Sequence, residues 1–289
     1  MDFLARIRSI PPFRYLPVKI YTMFASYPDL DEPHSYRVSL EGGIAAGKSC
    51  VMDYLDDYVK RSYTDLIGVV SEPIFQWKSY RGINWLKLFY EDPAKYSFQF
   101  QNVVLQTLAK RYKDRPIRLL LTERSLDSCV NVFARCSLQK GYISANQYQI
   151  LRGWRDILCE EYRMKTDCVI YLKTSPIICY ERMKQRNRLE EKAVTLEYLQ
   201  ELEVMHDEWL RNELNVYTVN GDGDKRETYE QINTIIESIT NWDWVTTQFF
   251  TYFDCILKLK RSLYRLKTSF FLMFIYFGLD LPNFSFCIL

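Results

Sequence analysis

Five short runs crowded with β-branched and large apolar residues, Tyr36–Leu40, Leu66–Ser71, Arg118–Thr122, Cys168–Leu172 and Val216–Val219, read as strands. Between them, apolar residues recur at three and four positions around Tyr96–Tyr112, Asn146–Glu161 and Leu196–Leu210, the spacing of one helical face. Strands alternating with helices predict a parallel sheet and an α/β fold, because each parallel pair needs a crossover. Ahead of the first strand, residues 1–34 mix Arg6, Arg8, Arg14 and Lys19 with apolar residues and several prolines, which predicts an irregular lead. From Asn241 onward the alternation stops, and aromatic and basic residues take over. The expected organisation is a lead over 1–34, one domain over 35–240 and an extension over 241–289, without internal repeats.

A chain of 289 residues with 48% hydrophobic content can bury one sizeable core. Its 38 Lys and Arg against 36 Asp and Glu leave a net charge of +2, which argues against a dedicated nucleic-acid binder and makes any phosphate chemistry local. The 8 Cys are scattered with no CxxC pair, and no secretory leader is evident. A reduced compartment is expected, cytoplasmic, with mitochondrial as the alternative.

After the first strand stands Gly42-Gly43-Ile44-Ala45-Ala46-Gly47-Lys48-Ser49, which fits G-x-x-x-x-G-K-S, and a helix-like run, Cys50–Lys60, follows it. Small residues let backbone N–H groups turn inward around phosphate oxygens, where the positive end of the next helix also points. Lys48 is expected on the β- and γ-phosphates of ATP and Ser49 on Mg²⁺. The bland alternative is a chance glycine-rich turn, and the flanking strand and helix count against it.

Ser71-Glu72-Pro73-Ile74-Phe75-Gln76-Trp77 follows the second strand and Glu123-Arg124-Ser125 the third. In a parallel sheet these ends share one edge, so Glu72, Glu123 and Arg124 should converge beside the phosphate loop. A carboxylate there can take a proton from an attacking hydroxyl while a guanidinium steadies both. Alone, Glu72 reads equally well as a helix cap or surface charge.

Taken together, from about Ser35 to Gly223, these segments resemble the deoxynucleoside kinase family, the cellular and viral enzymes for deoxycytidine, deoxyguanosine and thymidine. The resemblance implies a P-loop NTPase three-layer sandwich with a five-stranded parallel sheet and a helical lid. It also implies transfer of the ATP γ-phosphate to the 5′-hydroxyl of a deoxyribonucleoside, with Mg²⁺, in nucleotide salvage. In that family the Glu of E-P-x-x-x-W is the general base and its Trp packs on the nucleoside, which points to Glu72 and Trp77. The Arg of E-R-S, here Arg124, contacts the 5′-oxygen and the base catalyst, and Glu123 lies near the metal. In Ser97-Phe98-Gln99-Phe100-Gln101 the last residue, Gln101, corresponds to the amide that reads the nucleobase. Its one acceptor and two donors can pair with either pyrimidine by flipping. Tyr90 matches the tyrosine on the sugar 3′-hydroxyl and Phe133 the ring that stacks on the base. Singly, such aromatics are more often core, and their shared register with the family argues for contact.

Arg182-Met183-Lys184-Gln185-Arg186-Asn187-Arg188 follows the fourth strand and its helix, with Arg182 and Arg186 spaced for one helical face. Cations so placed suit a clamp on transferring phosphates, and a solvated basic face is the alternative. In the family this is the lid, written R-x-x-x-R-x-R before a Glu-Glu pair, so Arg182, Arg186 and Arg188 are implied as ATP contacts. Glu191 then falls on the second 3′-hydroxyl contact.

Four departures change the expectations. Gly43 and Cys50 replace the family's usual Asn and Thr without removing a catalytic group. Cys129-Val130-Asn131 stands where the family often has Asp-Arg-Tyr or Ala-Arg-Tyr, which is expected to loosen the surroundings of the site. Leu108 and Cys129 are uncharged where members taking deoxycytidine and purines pair an Arg with an Asp, so the pocket resembles the thymidine-accepting branch; with Gln101 able to pair with either pyrimidine, thymidine and deoxycytidine are the expected acceptors. In the extension, Lys258, Lys260, Arg261, Arg265 and Lys267 precede Thr268–Leu279, an apolar run too short for a transmembrane helix. Membrane association of this tail, a packing arm in a dimer and an extension without a role all stay open; a homodimer is expected. Two competing functions remain. A thymidylate-type monophosphate kinase would need extra cations where Glu72 stands. A weak, membrane-tethered nucleotide-binding protein is opposed by intact Lys48, Glu72 and Arg124.

Overall fold

A computed structural model describes residues 35–62, 67–112, 117 and 119–240; the expectations for the lead and for the extension lie outside these residues. The apolar runs form β1 (Tyr36–Glu41), β2 (Ile67–Val70), β3 (Leu119–Glu123), β4 (Cys168–Lys173) and β5 (Val216–Asn220). All four ladders are parallel and the order is β2-β3-β1-β4-β5. Every strand therefore ends on the same edge, with β1 at the centre.

The crossovers supply α1 (Lys48–Ser62), α2 (Trp85–Glu91), α3 (Pro93–Ala109), α4 (Arg135–Gln139), α5 (Ala145–Glu160), α6 (Pro176–Arg186) and α7 (Leu196–Leu210). Helix α3 begins before the apolar periodicity does, because the Asp92 side chain caps it by accepting from the Lys95 N–H and Pro93 opens it. Helix α5 is closed at its start by a Ser144–Gln147 capping box. Helix α1 packs against β2 and β3. Alternation along the ladders puts Leu120, Val169 and Tyr171 on one face of the sheet. There Leu120 joins a cluster with Phe100, Val104 and Leu108 of α3, while Val169 and Tyr171 join one with Leu202 and Met205 of α7. Helices thus flank a five-stranded parallel sheet, the arrangement of a P-loop NTPase. The chain divides into a unit that ends at Tyr229 and a second that starts at Glu230, whose described residues are helical.

One segment was not foreseen: Cys129–Ala134 winds as a π-helix. Cys129 and Phe133 of this segment both line the cavity described below. Val130, where the family often has an Arg, is fully buried in a cluster with Leu126 and Leu151.

His206 of α7 is fully buried, stacked on Tyr171 with ring centroids 5.7 Å apart and edge-on to Phe133. Its Nδ1 lies 2.6 Å from the Leu202 carbonyl, so that nitrogen donates. Burial, then the charges of Arg124 and Lys48, push its pKa down to about 3 from 6.5. Between those values the unfolded chain binds one proton more than the native chain, so this contribution is intact above about pH 6.5 and lost as pH falls. The expected loss is about 1.4 kcal/mol per pH unit below that point. Thermal unfolding of the wild type and His206→Gln at pH 7 and pH 5 checks it. The wild type should lose more stability on acidification, and equal losses in both proteins would refute the assignment.

Candidate active site

Leaving β1, the chain turns at Gly42 with φ +148°, where an added Cβ would sit 2.6 Å from the Leu172 carbonyl oxygen. Only glycine fits that close approach. Gly47 also has positive φ, at +108°, and α1 starts at the next residue, so its N-terminal amides face the loop. Lys48 Nζ donates to the carbonyls of Gly42 at 3.1 Å and Gly43 at 2.7 Å. Burial, with Arg124 adding to it, lowers the Lys48 pKa to about 8, against the opposing pull of Glu123, Glu72 and Glu41.

At the ends of β2 and β3, Glu72 and Arg124 meet: Arg124 Nε donates to Glu72 Oε1 at 2.7 Å. Arg124 has φ +62° and is held there by its N–H on the Leu40 carbonyl and by Nη1 on the Gly42 carbonyl at 3.0 Å. Burial alone would lower its pKa, but Glu72, Glu41 and Glu123 outweigh burial and raise it, so the guanidinium stays charged. Glu123 bridges the two halves of the site, since Ser49 Oγ donates to its Oε1 at 3.0 Å and the Glu72 N–H to its Oε2 at 3.1 Å.

These groups wall one cavity of about 450 Å³. Trp77, Tyr90, Gln101 and Phe133 line it as well. Trp77 is fixed by its indole N–H on Thr107 Oγ1 at 2.8 Å, and the Arg124 guanidinium lies 4.5 Å from the Phe133 ring centre. Burial, then Glu191 and Glu72, hold the Tyr90 phenol well above its usual range, so it remains a neutral donor. Gln101 is 1% exposed, and the Cys129 thiol donates to its Oε1 at 3.1 Å. Arg182 donates to the carbonyls of Ala46 and Gly221 at 3.0 and 3.1 Å. Arg186 and Arg188 both pair with the buried Glu191, at 2.7 and 3.2 Å. Helix α6 stops at Arg186 because Asn187 is left-handed, φ +49°, so Arg188 leaves the helix on a new heading.

Of the expected residues, Ile44 to Ser49, Glu72, Glu123, Arg124 and those just described reach the cavity, whereas Gly42 and Gly43 stand behind its wall. Sequence reasoning missed Glu41, a fully buried carboxylate whose pKa burial raises against the pull of Arg124. It also missed the rim formed by Gly221, Gly223, Lys225, Thr228 and Tyr229 after β5, where Tyr229 stacks on Tyr54 at 4.1 Å. The common edge of the strand ends was the available signal for that rim.

Comparison with known proteins extends this geometry. Residues 38–242 match the family described as deoxynucleoside kinase. A probable deoxycytidine kinase of fowlpox virus (strain NVSL) is 36% identical over 212 residues, 70% of this chain and 86% of that protein. Human mitochondrial thymidine kinase 2 is 32% identical over 174 residues, and the chain spans 60% of itself and 63% of that relative. A mitochondrial deoxyguanosine kinase of Xenopus laevis is 27% identical over 197 residues, 60% of this chain and 72% of that protein. A glycine loop under β1, a carboxylate and a guanidinium locked at the neighbouring strand ends, and a match that runs through all five strands lead to one assignment: the chain belongs to the deoxynucleoside kinase family and is an ATP-dependent phosphotransferase acting on deoxyribonucleosides.

Proposed function

We propose that the acceptors are pyrimidine deoxyribonucleosides, thymidine and deoxycytidine, that Glu72 is the general base, and that the enzyme serves nucleotide salvage through a catalytic domain over 35–240. The observation that carries the acceptor choice is the buried Gln101 carboxamide set among uncharged Val104, Leu108 and Cys129. Burial holds the Cys129 thiol neutral, far above its usual range. A neutral thiol can donate to the amide oxygen or accept from the amide nitrogen, so both orientations of Gln101, and hence both pyrimidine edges, are served.

In the proposed step the 5′-hydroxyl gives its proton to Glu72 while the 5′-oxygen bonds the γ-phosphorus and the β,γ-bridging bond breaks, releasing ADP. Arg124 orients the Glu72 carboxylate and meets the 5′-oxygen. Tyr90 and Glu191 hold the sugar 3′-hydroxyl, Trp77 and Phe133 sandwich the base, and Lys48 with Arg182, Arg186 and Arg188 spreads over phosphate charge. Ser49 Oγ and the Glu123 carboxylate are hard oxygen donors that fit Mg²⁺, and among the described residues no cluster of three or more His, Cys, Asp or Glu gathers to hold a metal. Ser49 and Glu123 would hold such an ion together with substrate phosphates, and it would supply charge neutralisation there. Glu72→Gln should retain ATP binding and lose on the order of a hundredfold or more in turnover. Wild-type turnover in that variant at saturating substrates would sink the base assignment.

Acceptor preference is tested with thymidine, deoxycytidine, deoxyguanosine and deoxyadenosine. The two pyrimidines are expected within about tenfold of each other in kcat/KM, since a methyl-sized contact discriminates no further, with both purines far poorer. Leu108→Arg with Cys129→Asp should move preference away from thymidine by filling the space for its methyl. A wild-type preference for deoxyguanosine would overturn this account of the pocket.

The proposal includes a homodimer. Ile150, Trp154 and Ile157 of α5 are 50%, 51% and 39% exposed and fall on one helical face, and α5 packs beside α3. A two-fold contact needs only one such self-complementary face. Sedimentation equilibrium should give a dimer for the wild type and a monomer for Trp154→Glu; a monomeric wild type would remove the dimer from the proposal. Among the described residues no helix is long and apolar enough to cross a membrane.

A further inference from the structure

The β2–β3 ladder ends at the pair Val70 and Thr122, so Ser71 and Glu72 lie beyond its last rung. Arg111, in the 3-10 turn Lys110–Tyr112 that follows α3, reaches across that gap. Its Nη1 donates to the Ser71 carbonyl at 2.7 Å and the Val70 carbonyl at 3.4 Å, and its Nη2 donates to the Glu123 carbonyl at 3.0 Å. One planar guanidinium therefore ties together two strand ends, one residue before Glu72 on one side and one residue before Arg124 on the other. Arg111 itself does not line the cavity.

We propose that Arg111 is a positioning residue for phosphoryl transfer, setting the spacing of the two strand ends and through it the 2.7 Å contact between Glu72 and Arg124. A second tie, the Glu72 N–H on Glu123 Oε2, constrains the same two segments from the amide side. On the carbonyl side, beyond the end of the ladder, the Arg111 guanidinium makes the tie. A lysine in place of Arg111 keeps the charge and loses the fork, so it cannot hold carbonyls of both strands in one plane. Misplacement of a catalytic group by about an ångström can cost on the order of a hundredfold.

This inference rests on Glu72 as the base, and the experiment separates the two. Arg111→Lys, Arg111→Ala, Glu72→Gln and the Glu72→Gln/Arg111→Lys double variant are assayed for kcat and both KM values at a temperature where circular dichroism matches the wild type. Arg111→Lys should lose about tenfold and Arg111→Ala about a hundredfold in kcat, with KM for nucleoside and ATP within about threefold. The double variant should turn over like Glu72→Gln alone, because a residue that acts through Glu72 has nothing left to position. Should Arg111→Ala not fold, Arg111→Lys and the double variant decide. Wild-type kcat in Arg111→Lys, a loss confined to KM, or losses that add in the double variant would overturn the proposal for Arg111 while leaving the base in place. Wild-type turnover in Glu72→Gln would instead remove the base, and this inference with it.

Discussion

Arg124 is a buried arginine with φ +62°, a conformation that costs a non-glycine residue about 1–3 kcal/mol, and it bonds Glu72 across 2.7 Å. Neither charge could be left there alone, since removing one partner of a buried pair typically costs about 3–5 kcal/mol. Three elements must agree for the pair to form. The end of β3 supplies the twisted backbone, the end of β2 supplies the carboxylate, and the end of β1 supplies the Leu40 and Gly42 carbonyls that hold Arg124 in place. The strand order β2-β3-β1 is what brings those three ends side by side. Glu123 then links the pair to the first turn of α1 through Ser49, so carboxylate, guanidinium and phosphate loop are fixed relative to one another.

The local parts of this arrangement were legible in the sequence. Strands show as apolar runs, and the phosphate loop shows because its glycines, lysine and serine are consecutive. Helix α7 matches its periodicity from end to end, whereas the start of α3 is set by the Asp92 cap and Pro93, which an apolar pattern does not register. The π-helix over Cys129–Ala134 differs from an α-helix by one residue per turn, too little to mark in six residues. Arg111 and Glu41 escaped notice for another reason. The described partners of Arg111 are backbone carbonyls 12 to 41 residues away, which carry no residue code, and Glu41 closes a strand whose alternation looks half solvated although its end is wholly buried.

Charge is distributed unevenly along the cavity. At one end Arg124 couples to Glu72, Glu123 and the buried Glu41 behind them, while Lys48, Arg182, Arg186 and Arg188 gather at the other. Glu191 is the joint between them, a carboxylate beside Tyr90 that engages Arg186 and Arg188 together. The cavity is thus cationic at one end and not at the other, by the placement of a few side chains in a chain whose net charge is only +2.

Lys48 spends two of its donors on carbonyls of its own loop. The cradle is therefore closed by bonds between atoms of the chain itself. A polyphosphate that engages Lys48 exchanges one set of oxygen partners for another, so its gain there is the difference between two sets of bonds. Occupancy then adds to stability only by mass action, at RT ln(1 + [L]/Kd).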